Sequence, residues 1–253
     1  MTTTTPHPYL DPHENPAAAL FRLLQLLPTN MQETTAFDRN EAKLAEAISY
    51  HAAQVHQITT AGMAALRPLL PPAPNHANPV HASLCRLVTH ITNEAEVTRQ
   101  IADLYQGMAN DFHEDNAGMD GDGMTAGFVA GKVRRAAAEK ARALMTDYGR
   151  HYYYPLGRLM QLLPGDITNA PRLTPEQGRM CQAVSHFAGQ AAFVIWSGLK
   201  AINDLQFIAS KAAPLEPRPD TSAFVAYLEA ESAFMHANKN DYRDAARNVA
   251  TAT

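Results

Sequence analysis

The sequence is poor in the residues that most often announce chemistry. It has only two cysteines, Cys85 and Cys181, both set in apolar helical patterns, so a disulfide framework is excluded and both are read as buried free thiols. No Glu-x-x-His occurs anywhere in the 253 residues, which removes the carboxylate–histidine motif of ferritin-like di-iron bundles. Long apolar runs are missing too. The most apolar stretch, 191–199, reads AAFVIWSGL and falls far short of the ~20 residues of a membrane-spanning helix. Positive charge is scarce overall, and a formal net charge of -4 leaves any binding to phosphate or anionic surfaces to a local patch. Residues 1–15 carry neither a basic segment nor an apolar core, so they are read as a disordered Thr/Pro-rich leader. The expected compartment is the cytoplasm. Export by a specialised system without a cleaved signal peptide is the alternative.

What is present is the composition of a folded chain, with 46% hydrophobic and 18% charged residues. The chain also matches itself. Laying Leu20 on Leu156 pairs 20–54 with 156–190 without a gap, and eleven of the 35 pairs are identical, against about two or three expected by chance. Leu23/Leu159, Gln25/Gln161, Pro28/Pro164, Ser49/Ser185 and Gln54/Gln190 are among them. Each copy reads as a short helix, a loop, a long helix, a Pro-rich hinge and a second long helix.

Local signals set the boundaries. Asn15 and Pro16 supply a cap and an N1 proline for the first short helix, which Pro28 ends, and Pro155 and Pro164 bracket its counterpart. Asp38 with Glu41, and Thr174 with Gln177, have capping-box spacing at the start of the two long helices. Those helices run to Pro68 and to about Ala213, where proline-rich hinges stop them. Closing helices are expected over 81–112 and 221–249, and a joining helix over 125–153 follows a glycine-rich loop at 116–123. The predicted fold is therefore all-α, an elongated helical bundle built from two tandem copies of one unit plus a joining helix. Its predicted divisions are a leader (1–15), a first repeat (16–112), a glycine-rich loop with the joining helix (113–152) and a second repeat (153–253).

Helix faces assign the core. Leu44, Ile48, His51, Val55, Ile58, Gly62 and Ala65 alternate steps of three and four, and Met180, Val184, Phe187, Ala191, Val194, Gly198 and Ala201 repeat them. The closing helix continues the pattern through Leu84, Val88, Ile91, Ala95, Thr98, Ala102, Tyr105 and Ala109. Such seams belong to helices crossing at about 20°. Gly62 and Gly198 occupy equivalent seam positions and are read as points of close helix approach. His51 shares its slot with Phe187, so it is read as a hydrogen-bonded core histidine rather than a ligand beside His56.

No catalytic, cofactor or metal site emerges. His90 and Glu94 stand four apart but lack further ligands, and are read as an exposed i,i+4 pair. AGFVAGKV at 126–133 lacks the first glycine and the hydroxyl of a phosphate loop, and Asp115, Asp120 and Asp122 lack the twelfth-position Glu of a calcium loop. Leu-x-x-Leu-Leu at 23–27 and 159–163 is assigned to packing within each repeat. The joining helix carries Lys132, Arg134, Arg135, Lys140, Arg142 and Arg150, followed by Tyr152, Tyr153 and Tyr154, and is the one candidate contact for nucleic acid or an acidic partner. From this inventory the expected function is a non-enzymatic scaffold or adaptor that binds a protein or self-associates, with no cofactor. The alternatives are a nucleic-acid-associated protein using the joining helix, and an enzyme or small-molecule carrier whose site assembles only in three dimensions.

Overall fold

The computed structural model describes residues 9–10, 14–26, 39–70, 77–117, 156–157, 159–160, 163–164, 166–170, 172–212 and 220–249. The segments expected to form the joining helix and most of both proline hinges lie outside them. Among the described residues five helices carry the fold: α1 (Pro16–Leu26), α2 (Arg39–Leu66), α3 (Pro79–Ala117), α4 (Pro175–Ala212) and α5 (Ser222–Ala245). Among the described residues the only β pairing is an isolated parallel bridge between Leu173 and Val249.

Capping chemistry fixes where the helices begin. Asn15 Oδ1 accepts from the backbone N–H groups of Ala17 and Ala18, at 3.0 and 3.1 Å, and opens α1 on the proline at N1. At α4 a reciprocal capping box forms: Thr174 Oγ1 accepts from the Gln177 N–H at 3.2 Å, and Gln177 Oε1 accepts from the Thr174 N–H at 3.0 Å. Helix α2 gives way to a single 3-10 turn at Arg67–Leu69, where Pro68 cannot continue the α-helical ladder. Helix α3 is longer than its sequence pattern suggests, starting at the Asn78 cap and running through Ala117. At 1.5 Å per residue it spans about 58 Å.

The helices form a bundle of two antiparallel pairs, α2 with α3 and α4 with α5, joined chiefly through α3 against α4 and less extensively through α2 against α5. Helix α1 packs on α2 and reaches α5, where Gln25 donates to the Tyr242 hydroxyl at 3.0 Å and Phe21 lies 5.7 Å from Phe234. A central apolar cluster draws on both pairs, with Leu84, Leu87 and Ile91 of α3 against Ile195, Ile202, Phe224 and Leu228.

The buried stripe of each long helix keeps Ile48, Val55 and Gly62, or Val184, Ala191 and Gly198, from the predicted seam but takes the alternate positions one residue later, with Leu44, His51 and Ala201 buried beside it. In α2 it runs Ala45, Ile48, Ala52, Val55, Thr59, Gly62 and Leu66, and in α4 Cys181, Val184, Ala188, Ala191, Ile195, Gly198 and Ile202. Ile58 and Ala65, with Met180, Phe187 and Val194, are only half-buried on its flank. Thr59 explains the shift, because its hydroxyl donates to the Val55 carbonyl at 2.7 Å and so enters the core with its polarity satisfied.

Contacts recur at fixed sequence offsets. Members of the α2 and α4 stripes stand 136 residues apart, whereas buried positions of α3 and α5 stand 137 apart: Leu84/Thr221, Leu87/Phe224, His90/Tyr227, Ile91/Leu228, Glu94/Glu231, Thr98/Met235 and Tyr105/Tyr242. The hydrogen bonds follow suit. Ser49 Oγ donates to the Ala102 carbonyl at 2.9 Å, and Ser185 Oγ donates to the Lys239 carbonyl at 2.8 Å. Gly62 faces Phe224 and Gly198 faces Leu87, so that a Cβ at either glycine would lie 2.2 or 2.6 Å from the opposing side chain.

Candidate functional site

Four buried polar residues converge between α3 and α5. Each helix presents a residue four before a glutamate on its inner face, His90 with Glu94 and Tyr227 with Glu231, and an i,i+4 spacing stacks the members of each pair. They meet crosswise. The Tyr227 hydroxyl donates a short hydrogen bond to Oε1 of Glu94, while His90 Nε2 stands 3.6 Å from Oε1 of Glu231 and 3.9 Å from Oε2 of Glu94. His90, Glu94 and Glu231 each offer a ligand-type atom, all within 4.8 Å of one another.

His90 and Glu94 are 1% and 0% exposed, so the expected surface pair is corrected to a core pair. The face that carries them points into the bundle, where the side chains of Tyr227 and Glu231 from α5 meet it. Apolar neighbours keep the cluster dry: Leu87, Ile91 and Leu228 flank it in sequence and are buried with it. Burial pushes the Glu231 carboxyl up to about 8 and lowers His90, whose nearest opposing influence is the Glu94 carboxylate. Neither oxygen of Glu231 accepts a hydrogen bond.

Other predicted residues stand apart from this cluster. His51 is buried, as a core histidine should be, and lies edge-on to Tyr50 at 5.3 Å. Its pKa is lowered, by burial first, against an opposing pull from Glu14. His56 Nδ1 meets the Ala95 carbonyl at 2.8 Å and serves helix packing. Phe187 is half-buried on the α4 flank beside His186. Cys181 is buried, with its thiol pushed up by burial, whereas Cys85 is half-buried; both are free. In the first Leu-x-x-Leu-Leu segment Leu23 is buried and Leu26 is 53% exposed. The basic residues from Lys132 to Arg150 lie outside the described residues.

Sequence reasoning missed Tyr227 and Glu231. The signal was available in the repeat, since an offset of 137 sets His90 and Glu94 over Tyr227 and Glu231, but the ungapped match at 136 ends at Gln190, before these helices.

Helix α4 carries Phe193, Trp196, Phe207 and Ile208, each 57–60% exposed, with Phe193 and Trp196 rings 6.4 Å apart and Lys211 Nζ 4.3 Å from the Phe207 ring. A cleft lined by Ile167, Thr168, Leu173, Asp241, Asp244 and Asn248 measures about 260 Å³, below the ~300 Å³ at which small-molecule pockets begin. No protein-family model, curated protein or solved structure matches the chain. No described helix is long and apolar enough to cross a membrane.

Proposed function

We propose that the protein is a non-enzymatic helical scaffold or adaptor, made of two copies of one helical unit, that self-associates or binds a protein partner through α4. The observation that carries this reading is the exposed aromatic face of that helix, which extends over 193–208, about 22 Å of helix. Large aromatics left more than half exposed on one helix are unusual for a monomer, and Trp and Phe are the residues that anchor interfaces. Lys200 lies within this face, between Trp196 and Phe207, and Lys211 lies beyond its end. The duplication is supported by the recurring offsets of 136 and 137 in buried stripes, hydrogen bonds and glycine contacts. A cytoplasmic setting fits the two free cysteines.

Trp196 is the sole tryptophan, so its fluorescence reports this face alone. The test follows emission and sedimentation together over a wide concentration range for the parent, and sedimentation for a Phe193→Ser, Trp196→Tyr, Phe207→Ser variant, whose loss of the sole tryptophan removes the emission signal. In the self-associating case the parent forms dimers or larger species with a blue shift of Trp196, and the variant stays monomeric with unchanged helicity. A parent that is monomeric and water-exposed at Trp196 throughout removes self-association. The adaptor reading then requires a partner whose addition shifts Trp196, and fails if none does.

A further inference from the structure

We propose that His90, Glu94 and Glu231 bind one divalent first-row transition ion of the Zn²⁺ type in the interior of the bundle. Two side chains from α3 and one from α5 bring one nitrogen and two carboxylate groups within 4.8 Å of one another, all of them buried. For a metal–ligand bond of about 2.0–2.1 Å, ligand atoms in a tetrahedral shell stand about 3.3 Å apart. The observed separations of 3.6 and 3.9 Å from His90 Nε2, and a spread of no more than 4.8 Å over all three ligand atoms, close to that value with shifts of about 0.3 to 1.5 Å, which changes in the carboxylate rotamers supply.

Glu231 provides the independent observation. It is fully buried, and neither of its oxygens accepts a hydrogen bond, although a carboxylate removed from water costs several kcal/mol unless it is neutralised or hydrogen-bonded. One divalent cation answers that need for the whole cluster. Two carboxylates and a neutral imidazole around a 2+ ion sum to zero charge, the state a dry apolar core tolerates.

The hydrogen-bond geometry also assigns the oxygens. Tyr227 donates to Oε1 of Glu94, and Oε2 is the oxygen that faces His90 Nε2, so the phenol orients the carboxylate with the second oxygen turned to the site. Tyr227 is thus a positioning residue. Ligand chemistry selects the ion. Ca²⁺ takes six to eight oxygens and Mg²⁺ an octahedron with several waters, whereas a nitrogen with two carboxylates suits Zn²⁺, Co²⁺, Fe²⁺ or Mn²⁺. Three protein ligands leave the fourth tetrahedral position for water.

The test uses the full chain, freed of metal with a chelator and titrated with Co²⁺ as a coloured substitute for Zn²⁺. The expected result is a visible ligand-field band that saturates at one Co²⁺ per chain and disappears when Zn²⁺ is added. Affinity should fall at least tenfold in Glu231→Gln and in His90→Gln, and about tenfold to a hundredfold in Tyr227→Phe with the band retained. Circular dichroism identifies which variants are folded, and the parent titration decides the matter even if a variant is not. A folded parent with no saturable band overturns the proposal. So does a band that survives at full affinity in folded Glu231→Gln and His90→Gln, because surface histidines then supply it.

Discussion

The phenol of Tyr227, on α5, donates its hydrogen bond to the Glu94 carboxylate on α3, 133 residues away in sequence. The bond ties the closing helix of one half to that of the other at a depth where water does not compete. Losing the donor strands Oε1 of Glu94 in the core. Tyr227→Phe should therefore lower the stability of the metal-free protein by about 1–3 kcal/mol, read from urea denaturation with chelator present. Adding Glu94→Met, which removes the stranded acceptor as well, should recover part of that loss. A double variant weaker than the sum of the singles would show that the bond is not what couples the two sites.

The three helical glycines of contrasting surroundings give a second prediction. At Gly62 a Cβ would stand 2.2 Å from Cδ2 and 2.4 Å from Cγ of Phe224, and at Gly198 it would stand 2.6 Å from Cβ of Leu87. Atoms this near the backbone cannot swing aside as the end of a flexible side chain would. Gly62→Ala and Gly198→Ala should each cost about 1–3 kcal/mol through overpacking. Nothing lies within 4 Å of a Cβ at Gly107, which is exposed on α3, so Gly107→Ala should instead add about 0.4–1 kcal/mol by restricting the unfolded chain. Thermal or urea denaturation of the three variants checks the signs. Equal effects at all three positions would mean that the helices do not approach closely at Gly62 and Gly198.

Much of the architecture was legible in the sequence because caps and prolines act locally. Asn15, Thr174 and Gln177 make the hydrogen bonds that their spacing implies, and Pro68 ends α2 where the ring must. Rotation about the helix axis was harder to read. Ile58 and Thr59 are adjacent, hydropathy favours Ile58, and only the hydrogen bond from Thr59 to Val55 shows why the polar residue is the buried one. The polar cluster was hardest of all. Glu229 and Glu231 sit in the same Glu-Ala-Glu segment, the first exposed and the second fully buried, and which of them faces inward depends on the placement of α5 against α3. No rule that acts within one helix carries that information.

The last prediction concerns acid. His51 is buried in α2, and burial holds its pKa below the ordinary histidine value of 6.5, outweighing the opposing pull of Glu14. The folded state therefore resists a proton that the unfolded chain accepts. Stability from this group is complete above 6.5 and is lost as pH falls from that value toward the lowered one, at no more than about 1.4 kcal/mol per pH unit. The parent profile alone does not isolate this effect. His90 is lowered in the same direction, while Glu231, raised to about 8, contributes stability that is lost as pH rises from 4.5 through that value. A difference measurement separates them. Phe187 fills the position equivalent to His51 in the second half, so His51→Phe keeps a ring at this slot and removes the titration. The stability of His51→Phe relative to the parent should be flat above about pH 7.5 and should rise steadily as pH drops from about 6.5 to 5. Urea denaturation at stepped pH reads it directly, and a difference that stays constant across the range would place the proton on His51 in the folded state as readily as in the unfolded one.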